Sequence, residues 1–387
     1  MDISIYLEPI NKLDFTDNNP KKLGNNIIAF TNKNSFPDLN NVDIAIIGVK
    51  EDRRALNNKG CGNAPDIVRY YIYNLYTGLW KTKIVDLGNL ILGHEVEDTY
   101  YALKSCLTDL ISSNVLPIII GGSQDLTLAN YLAYENLGQI INFVSIDSKF
   151  NLGETHLPTN SENYLSKIIT QKPSYLFNYT NIGYQTYFTD QEAIELLKNL
   201  FFDACRLGAI RENIENAEPM VRNADMLSVD ISSVRYSDAP GNANASPNGF
   251  YGEEICQIMR YAGLSDKLTS LGIYEINPSL DNKGITSHLV AQMIWYFIDG
   301  FANRKNIIPQ RDKTNFIKYL VTIKNQYEIV FYKSNITGQW WMEIPCPTEI
   351  INKYERHYMV PCSYKDYQIA TNDDIPDRWW MMYQKLI

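Results

Sequence analysis

The sequence predicts an α/β protein built on a mainly parallel sheet, followed by a smaller α+β piece. Three observations carry this. Short apolar runs recur between about residues 42 and 303, and they are near-continuous rather than alternating. A sheet covered on both faces requires such runs. Stretches with helical spacing fill the gaps between them, the order of a doubly wound sheet. Past about residue 305 the style changes to alternation.

The candidate strands are 43–49, 84–87, 115–120, 140–146, 176–182, 226–230 and 268–273. The candidate helices are 64–76, 98–112, 126–135, 190–200, 252–261 and 285–301. Pro65 falls in a first helical turn, where its missing N–H costs nothing. Thr189 with Glu192 three residues on fits a capping box. "NNKGCGN" and "PGNANASPNG" read as loops. "NFIKYLVTI" and "YEIVFYKS" flank "KNQ" and read as a β-hairpin. The division expected is a unit of residues 1–305 and an extension of residues 306–387.

Composition narrows the function. The 387 residues are 45% apolar, enough for a sizeable core. A net charge of −9 with no Lys/Arg block excludes a general nucleic-acid backbone binder. The apolar runs are strand-sized, so no membrane span is expected. The first residues read as lacking a secretory signal. Six scattered cysteines without metal spacing read as reduced thiols, and the cytoplasm is the expected location.

Three strand ends carry chemistry. In "IIIGGSQDLT", Gly121 and Gly122 permit a tight turn, and Ser123, Gln124 and Asp125 open a helix. The bland reading is turn plus cap. A nucleophile elbow would need a second Gly where Asp125 stands, and a phosphate loop would need Lys-Ser/Thr. In "SIDSKFN", Asp147, Lys149 and Asn151 stand at i, i+2 and i+4, and share a face if the chain stays extended. In "LSVDISSVR", Asp230 and Ser232 have the same spacing. Each aspartate alone could merely satisfy loop amides. Together they put two carboxylates at one edge of one sheet.

The order of these segments resembles the arginase, agmatinase and formimidoylglutamase group of ureohydrolases. "GCGNAPDIVR", "VDLGNL", "IIIGGSQDLT", "SIDSKFN", "LSVDISSVR…APG…SPNG" and "IYEINP" follow one another as that group's motifs do, over about residues 42–303. The resemblance implies a three-layer α/β/α arginase-like fold and hydrolysis of C–N bonds in linear amidines. It also implies two manganese ions on six protein ligands. Carried over by position, those ligands fall on Gln124, Asp147, Lys149, Asn151, Asp230 and Ser232. Only the two aspartates remain good ligands, since an ammonium offers only donors and a positive charge. Glu275 stands where the group has a glutamate associated with the guanidinium or amidine of substrate. Arg235 stands where it has an acid. The extension has no counterpart in the compact members.

The expectation that follows is a degenerate metal site with no cofactor, in a silent relative of those enzymes kept for binding a protein or a small ligand in the old pocket. Metal coordination lowers water's pKa from about 15.7 to about 7. Losing it raises the free energy of making hydroxide by roughly 12 kcal/mol. The alternative is a C–N hydrolase with a reorganised site, with manganese held by Asp147, Asp230 and Asp125. Lys149 is expected either between Asp147 and Asp230, in the metal's place, or reaching to solvent. His94, His156 and His357 read as surface or loop residues and His288 as a helix residue. Trp340, Trp341, Trp379 and Trp380 read as docking against the chain's own core or as a surface for a protein partner. Members of the group are commonly oligomers.

Overall fold

A computed structural model describes residues 2–11, 19–310, 313–324 and 326–386. Its larger sheet has ten strands: β1 (Leu7–Glu8), β2 (Ile28–Ala29), β3 (Ile44–Gly48), β4 (Ile84–Leu90), β5 (Leu116–Ile120), β6 (Ile141–Ile146), β7 (Leu176–Tyr184), β8 (Asp203–Arg206), β9 (Met226–Asp230) and β10 (Ser270–Tyr274). Their order is β1-β4-β3-β5-β10-β9-β6-β7-β8, with β2 also on β4. Among the described residues, only β1 of this sheet runs antiparallel to its neighbour. The central strands β3, β5, β6, β9 and β10 are buried at every position. That is why they read as unbroken apolar runs rather than as alternation.

Among the described residues, nine α-helices lie between or follow these strands: α1 (Ala64–Asn74), α2 (Val96–Ser112), α3 (Leu126–Asn136), α4 (Tyr164–Thr170), α5 (Gln191–Asn199), α6 (Leu207–Glu212), α7 (Ala217–Arg222), α8 (Gly252–Gly263) and α9 (Ile285–Ala302). They form two layers. Val68, Ile258, Met259, Met293 and Phe297 from α1, α8 and α9 pack on one face, against Ile46, Ile118 and Leu271. Leu103, Leu107, Tyr131, Tyr134 and Leu165 from α2, α3 and α4 pack on the other, against Ile47, Ile119 and Phe143. Helices α8 and α9 cross closely because each offers a glycine. A Cβ on Gly263 would lie 2.2 Å from the Phe297 carbonyl, and one on Gly300 2.3 Å from that of Arg260. The expected capping box at Thr189 is replaced by Asp190, which accepts from the Glu192 amide at 3.0 Å. The helix starts one residue later than expected, so the N-cap falls on Asp190, whose carboxylate meets an amide of the first turn.

The C-terminal extension is α+β. Strands β11 (Phe316–Ile323), β12 (Tyr327–Ser334), β13 (Trp340–Glu343) and β14 (Met359–Cys362) form an antiparallel sheet in sequential order. The β11–β12 pair is the expected hairpin, with Asn325 of its turn outside the described residues. Helices α10 (Thr348–Lys353), α11 (Tyr364–Thr371) and α12 (Asp377–Leu386) complete it. Trp340, Trp341 and Trp379 are buried within this unit, and Trp380 is half-buried against it. Trp379 and Tyr383 stack at 4.8 Å. The tryptophans therefore serve first as the extension's own core. Among the described residues, no helix is long and apolar enough to cross a membrane.

The extension is tied to the larger sheet by charged and polar contacts. Arg222 of α7 pairs with Glu218 at 2.7 Å, donates to the carbonyls of Trp340 (3.0 Å) and Cys362 (3.1 Å), and lies over the Trp341 ring. Arg356 meets the fully buried Asp225 at 2.5 Å. His357 is a correction to the sequence reading. It is 2% exposed, its Nε2 faces the Ile140 carbonyl at 3.2 Å, and its ring stacks on Phe177 at 4.2 Å. Burial, helped by the Lys267 ammonium and opposed by Asp225, pushes its pKa down to about 3.

His357 is therefore neutral when folded but takes a proton below about pH 6.5 when unfolded. Its contribution to stability is present above that pH and is lost as pH falls from 6.5 toward 3, by about 1.4 kcal/mol per unit. His357→Phe should remove this slope. Melting curves at pH 7, 6 and 5 should show the wild type losing stability relative to the variant. A difference independent of pH would show that His357 is not held neutral.

Candidate functional site

Four neighbouring strands end side by side. In the order β5-β10-β9-β6, the residues just past or at their C-terminal ends are Gln124, Glu275, Asp230 and Asp147. Edges of this kind are where α/β folds place their chemistry. All four side chains are buried, at 0, 2, 4 and 0% exposure. Gly121 and Gly122 carry the chain from β5 into α3 at φ +88° and +73°. A Cβ on Gly122 would lie 2.6 Å from the Glu51 carbonyl. That turn places the Gln124 amide 2.8 Å from Glu275 Oε1, to which it donates.

Glu275 is closed off by the chain itself. Its Oε2 accepts from Asn58 Nδ2 at 2.7 Å, and the same nitrogen donates to its carbonyl at 2.9 Å. Asn242 Nδ2 donates to that carbonyl too, at 2.8 Å. Asn58 Oδ1 accepts from Asn277 Nδ2 and the Ala243 amide, both at 3.1 Å. Glu275 sits at φ +66°, an uncommon backbone for a glutamate. Burial, with the nearby Asp230 carboxylate, pushes its pKa up to about 8, against the pull of the two donors.

Beyond β6 the chain does not stay extended, so the expected alternation of Asp147, Lys149 and Asn151 fails. Asp147 turns the backbone by accepting from the Lys149 amide at 3.0 Å. Asn151 takes φ +54° and donates Nδ2 to Asp147 Oδ2 at 2.6 Å. Asp230 accepts from the Ser232 amide at 2.8 Å, so Ser232 closes a turn at the strand end. Burial and the neighbouring Asp230 carboxylate hold Asp147 above the usual carboxylate range, and burial does the same to Asp230.

Neither expected position of Lys149 is the one observed. Its ammonium pairs with Glu162 at 3.1 Å, in the loop before α4, and its side chain is 27% exposed. Burial works to lower its pKa, but the Asp147, Glu162 and Asp230 carboxylates outweigh that and raise it. The charge thus still offsets both aspartates from the side. Gln124 Nε2 donates to Ser228 Oγ at 2.9 Å and to Tyr164 OH at 3.3 Å. Asp125 is held by the hydroxyls of Ser123 and Tyr100, and burial lifts its pKa to about 6. Arg235 pairs with Asp238 at 2.9 Å and lies 3.8 Å over the Tyr251 ring. His94 and His156 are exposed beside Glu95 and Glu154, and His288 stacks on Tyr71.

As donors for manganese these residues do not fit. One of the six positions is an ammonium, and one lone-pair side of Asp147 is taken by Asn151. Among the described residues, no group of three or more His, Cys, Asp or Glu side chains could hold a metal ion. Sequence reasoning missed Asn58, Glu162 and Asn242. Asn58 lies in a segment that reads only as a loop. Nothing in the sequence pairs Glu162 with Lys149, 13 residues away.

Residues 42–299 match the arginase family. The chain belongs to that family, as a divergent member of the ureohydrolases. Formimidoylglutamase of Clostridium tetani is 26% identical over 301 residues, covering 69% of this chain and 85% of that protein. Formimidoylglutamase of Staphylococcus haemolyticus is 24% identical over 294 residues, covering 70% and 91%. Among solved structures, formimidoylglutamase from Bacillus subtilis superposes with a TM-score of 0.66 at 18% identity, covering 75% of this chain and 94% of that one. A Trypanosoma cruzi formiminoglutamase solved with manganese gives 0.64 at 17%, covering 77% and 100%. These likenesses show the ureohydrolase fold.

Asn58→Ala leaves Glu275 with an unmet oxygen and should destabilise the protein by about 1–3 kcal/mol. Asn58→Asp, which sets a second carboxylate against Glu275, should cost more. Urea unfolding measures both. A neutral Asn58→Ala would mean these hydrogen bonds contribute nothing.

Proposed function

We propose that this ureohydrolase-fold protein is silent in the hydrolysis its relatives are named for, and acts by binding or as a structural partner. The observation that carries the reading is the self-satisfied state of the strand-end carboxylates. Asp147, Asp230 and Glu275 each accept hydrogen bonds from the chain itself, and the one cation among them is committed to Glu162. A hydrolytic site would need an activated water. Without a metal, the remaining cost of making hydroxide is roughly 12 kcal/mol. No cofactor belongs to this reading. The division into residues 1–305 and 306–387 does, with the extension as the part the compact relatives lack. A cytoplasmic location fits it as well.

A second reading, a C–N hydrolase with a reorganised site, is favoured by one feature. Gln124 Oε1 and Asn151 Oδ1 are buried oxygens without a hydrogen-bond partner. They leave room for one further donor or ion.

Two experiments separate the readings. The unmodified protein should release neither urea nor formamide above background from arginine, agmatine or formimidoylglutamate. Turnover of any of them supports the hydrolase instead. The combined variant Gln124→His, Lys149→His, Asn151→Asp and Ser232→Asp should gain manganese binding by calorimetry. If it folds and binds none, the site differs from that of the relatives in more than these four side chains.

A further inference from the structure

The extension's sheet ends on an open edge. In the order β11-β12-β13-β14, β11 has a neighbour on one side only among the described residues. Its pairing with β12 sets which backbone groups face out. The Asn335 amide donates to the Asn315 carbonyl at 2.9 Å, one step beyond the pair Phe316 and Ser334. Hydrogen-bonded pairs alternate along an antiparallel ladder. Residues 317, 319, 321 and 323 therefore bond to β12, and Lys318, Leu320 and Thr322 turn their N–H and C=O outward. Among the described residues, nothing bonds to these outward groups.

The rest of the extension leaves this edge uncovered. Lys318, Leu320 and Thr322 are exposed, Leu320 at 58%. Tyr367 of α11 meets the Tyr319 and Phe331 rings on the inner face of the sheet. Asp373, just past α11, accepts from the Lys324 amide, beyond the strand's last residue. An open edge of this length is a template for a further strand. Proteins commonly blunt such edges with a lysine, and Lys318 is the one charge in residues 316–323. The strand that pairs here has to answer that charge.

A second copy of β11 does. Lys318 stands opposite Tyr332, and Glu328 opposite Thr322, so both charges lie on the outer face of the hairpin. Both are exposed, and neither side chain has an ion pair within the chain among the described residues. Four ladder positions separate them, about 13 Å, too far to pair. Now let a second β11 lie antiparallel on the edge, with a two-fold axis at Leu320. Lys318 then faces Thr322 of the second copy, and Leu320 faces its own counterpart. Every outward group finds a partner. Thr322 of the second copy separates Lys318 from that copy's Glu328. Strands are about 4.8 Å apart, so the two α-carbons are about 10 Å apart and the side chains meet over the short threonine.

The apolar residues agree with this register. On the inner face Ile317, 44% exposed, falls opposite Ile323 of the second copy. No like charges stand directly opposite. Lys324 of the second copy lies on the diagonal from Lys318, with Asp373 beside it as an offset. Lys333 is on the inner face, over Trp340.

We propose that β11 is a self-association edge. Two chains pair antiparallel through residues 316–323 about an axis at Leu320, and Lys318 of each chain pairs with Glu328 of the other. Their extension sheets become one continuous sheet. The inference rests on the extension alone and stands whether or not the strand-end carboxylates catalyse.

The test is analytical ultracentrifugation of the full chain over roughly 1 to 200 μM, where small interfaces dissociate. The expected result is a monomer–dimer equilibrium. Leu320→Pro removes an outward N–H and no bond to β12, a change edge strands tolerate. It should weaken the dimer about tenfold or more. Lys318→Glu and Glu328→Lys should each weaken it about tenfold, and the two combined should restore it. A dimer through any other surface would not show that restoration. Where Leu320→Pro lowers the melting temperature, the charge exchange, at two exposed side chains, carries the test. The proposal is overturned if the chain stays monomeric over this range, if a stably folded Leu320→Pro variant dimerises as well as the wild type, or if the combined exchange fails to restore the dimer.

Discussion

Two carboxylates taken out of water side by side set the problem that the rest of this structure answers. Asp147 and Asp230 end adjacent strands, and both are buried. Like charges in that setting resist ionising together. In a metal centre, cations would offset them. Here the offset comes from one ammonium at the side, Lys149, and from hydrogen bonds of Asn151, Ser232 and the Lys149 backbone. The Lys149 ammonium is itself anchored by Glu162. The loop between β6 and α4 is thus tied to the charge balance at the strand ends.

The same logic extends one strand further. Glu275 is buried with, among the described residues, no cation in hydrogen-bond contact, and Asn58, Asn242 and the Gln124 amide surround it. Amide side chains do here what charged partners would do in a solvated site. A buried carboxylate held this way is costly to disturb. The network therefore joins the loop of Asn58, the β5–α3 turn and the loop of Asn242 into one rigid floor. At the other edge, charge is handled by pairing: Arg222 with Glu218, and Lys267 and Arg356 with Asp225. At the strand ends amides and one ammonium balance the carboxylates, whereas the ion pairs at the other edge join the extension.

The sequence exposed much of this and concealed the rest for physical reasons. Central strands were readable because burial on both faces leaves only apolar residues. Edge strand β8 was not. Its residues, Asp203 to Arg206, are half-buried to exposed and carry no periodic signal. Helices α4, α6 and α7 are six or seven residues long, too short for a helical period to stand out. The strand-end residues were readable because strand ends are local. The direction of Lys149 was not, because it depends on Glu162 across a folded loop. His357 read as a surface residue because its burial comes from Phe177 and Ile140, more than 170 positions earlier.

The central claim is that the chain's own groups, not metal ions, balance the strand-end carboxylates. Its most direct test is the manganese content of protein produced in manganese-supplemented medium and purified without chelator, measured by elemental analysis. The account predicts far less than one ion per chain. One or two ions per chain, lost together with Asp147→Ala or Asp230→Ala, would contradict it.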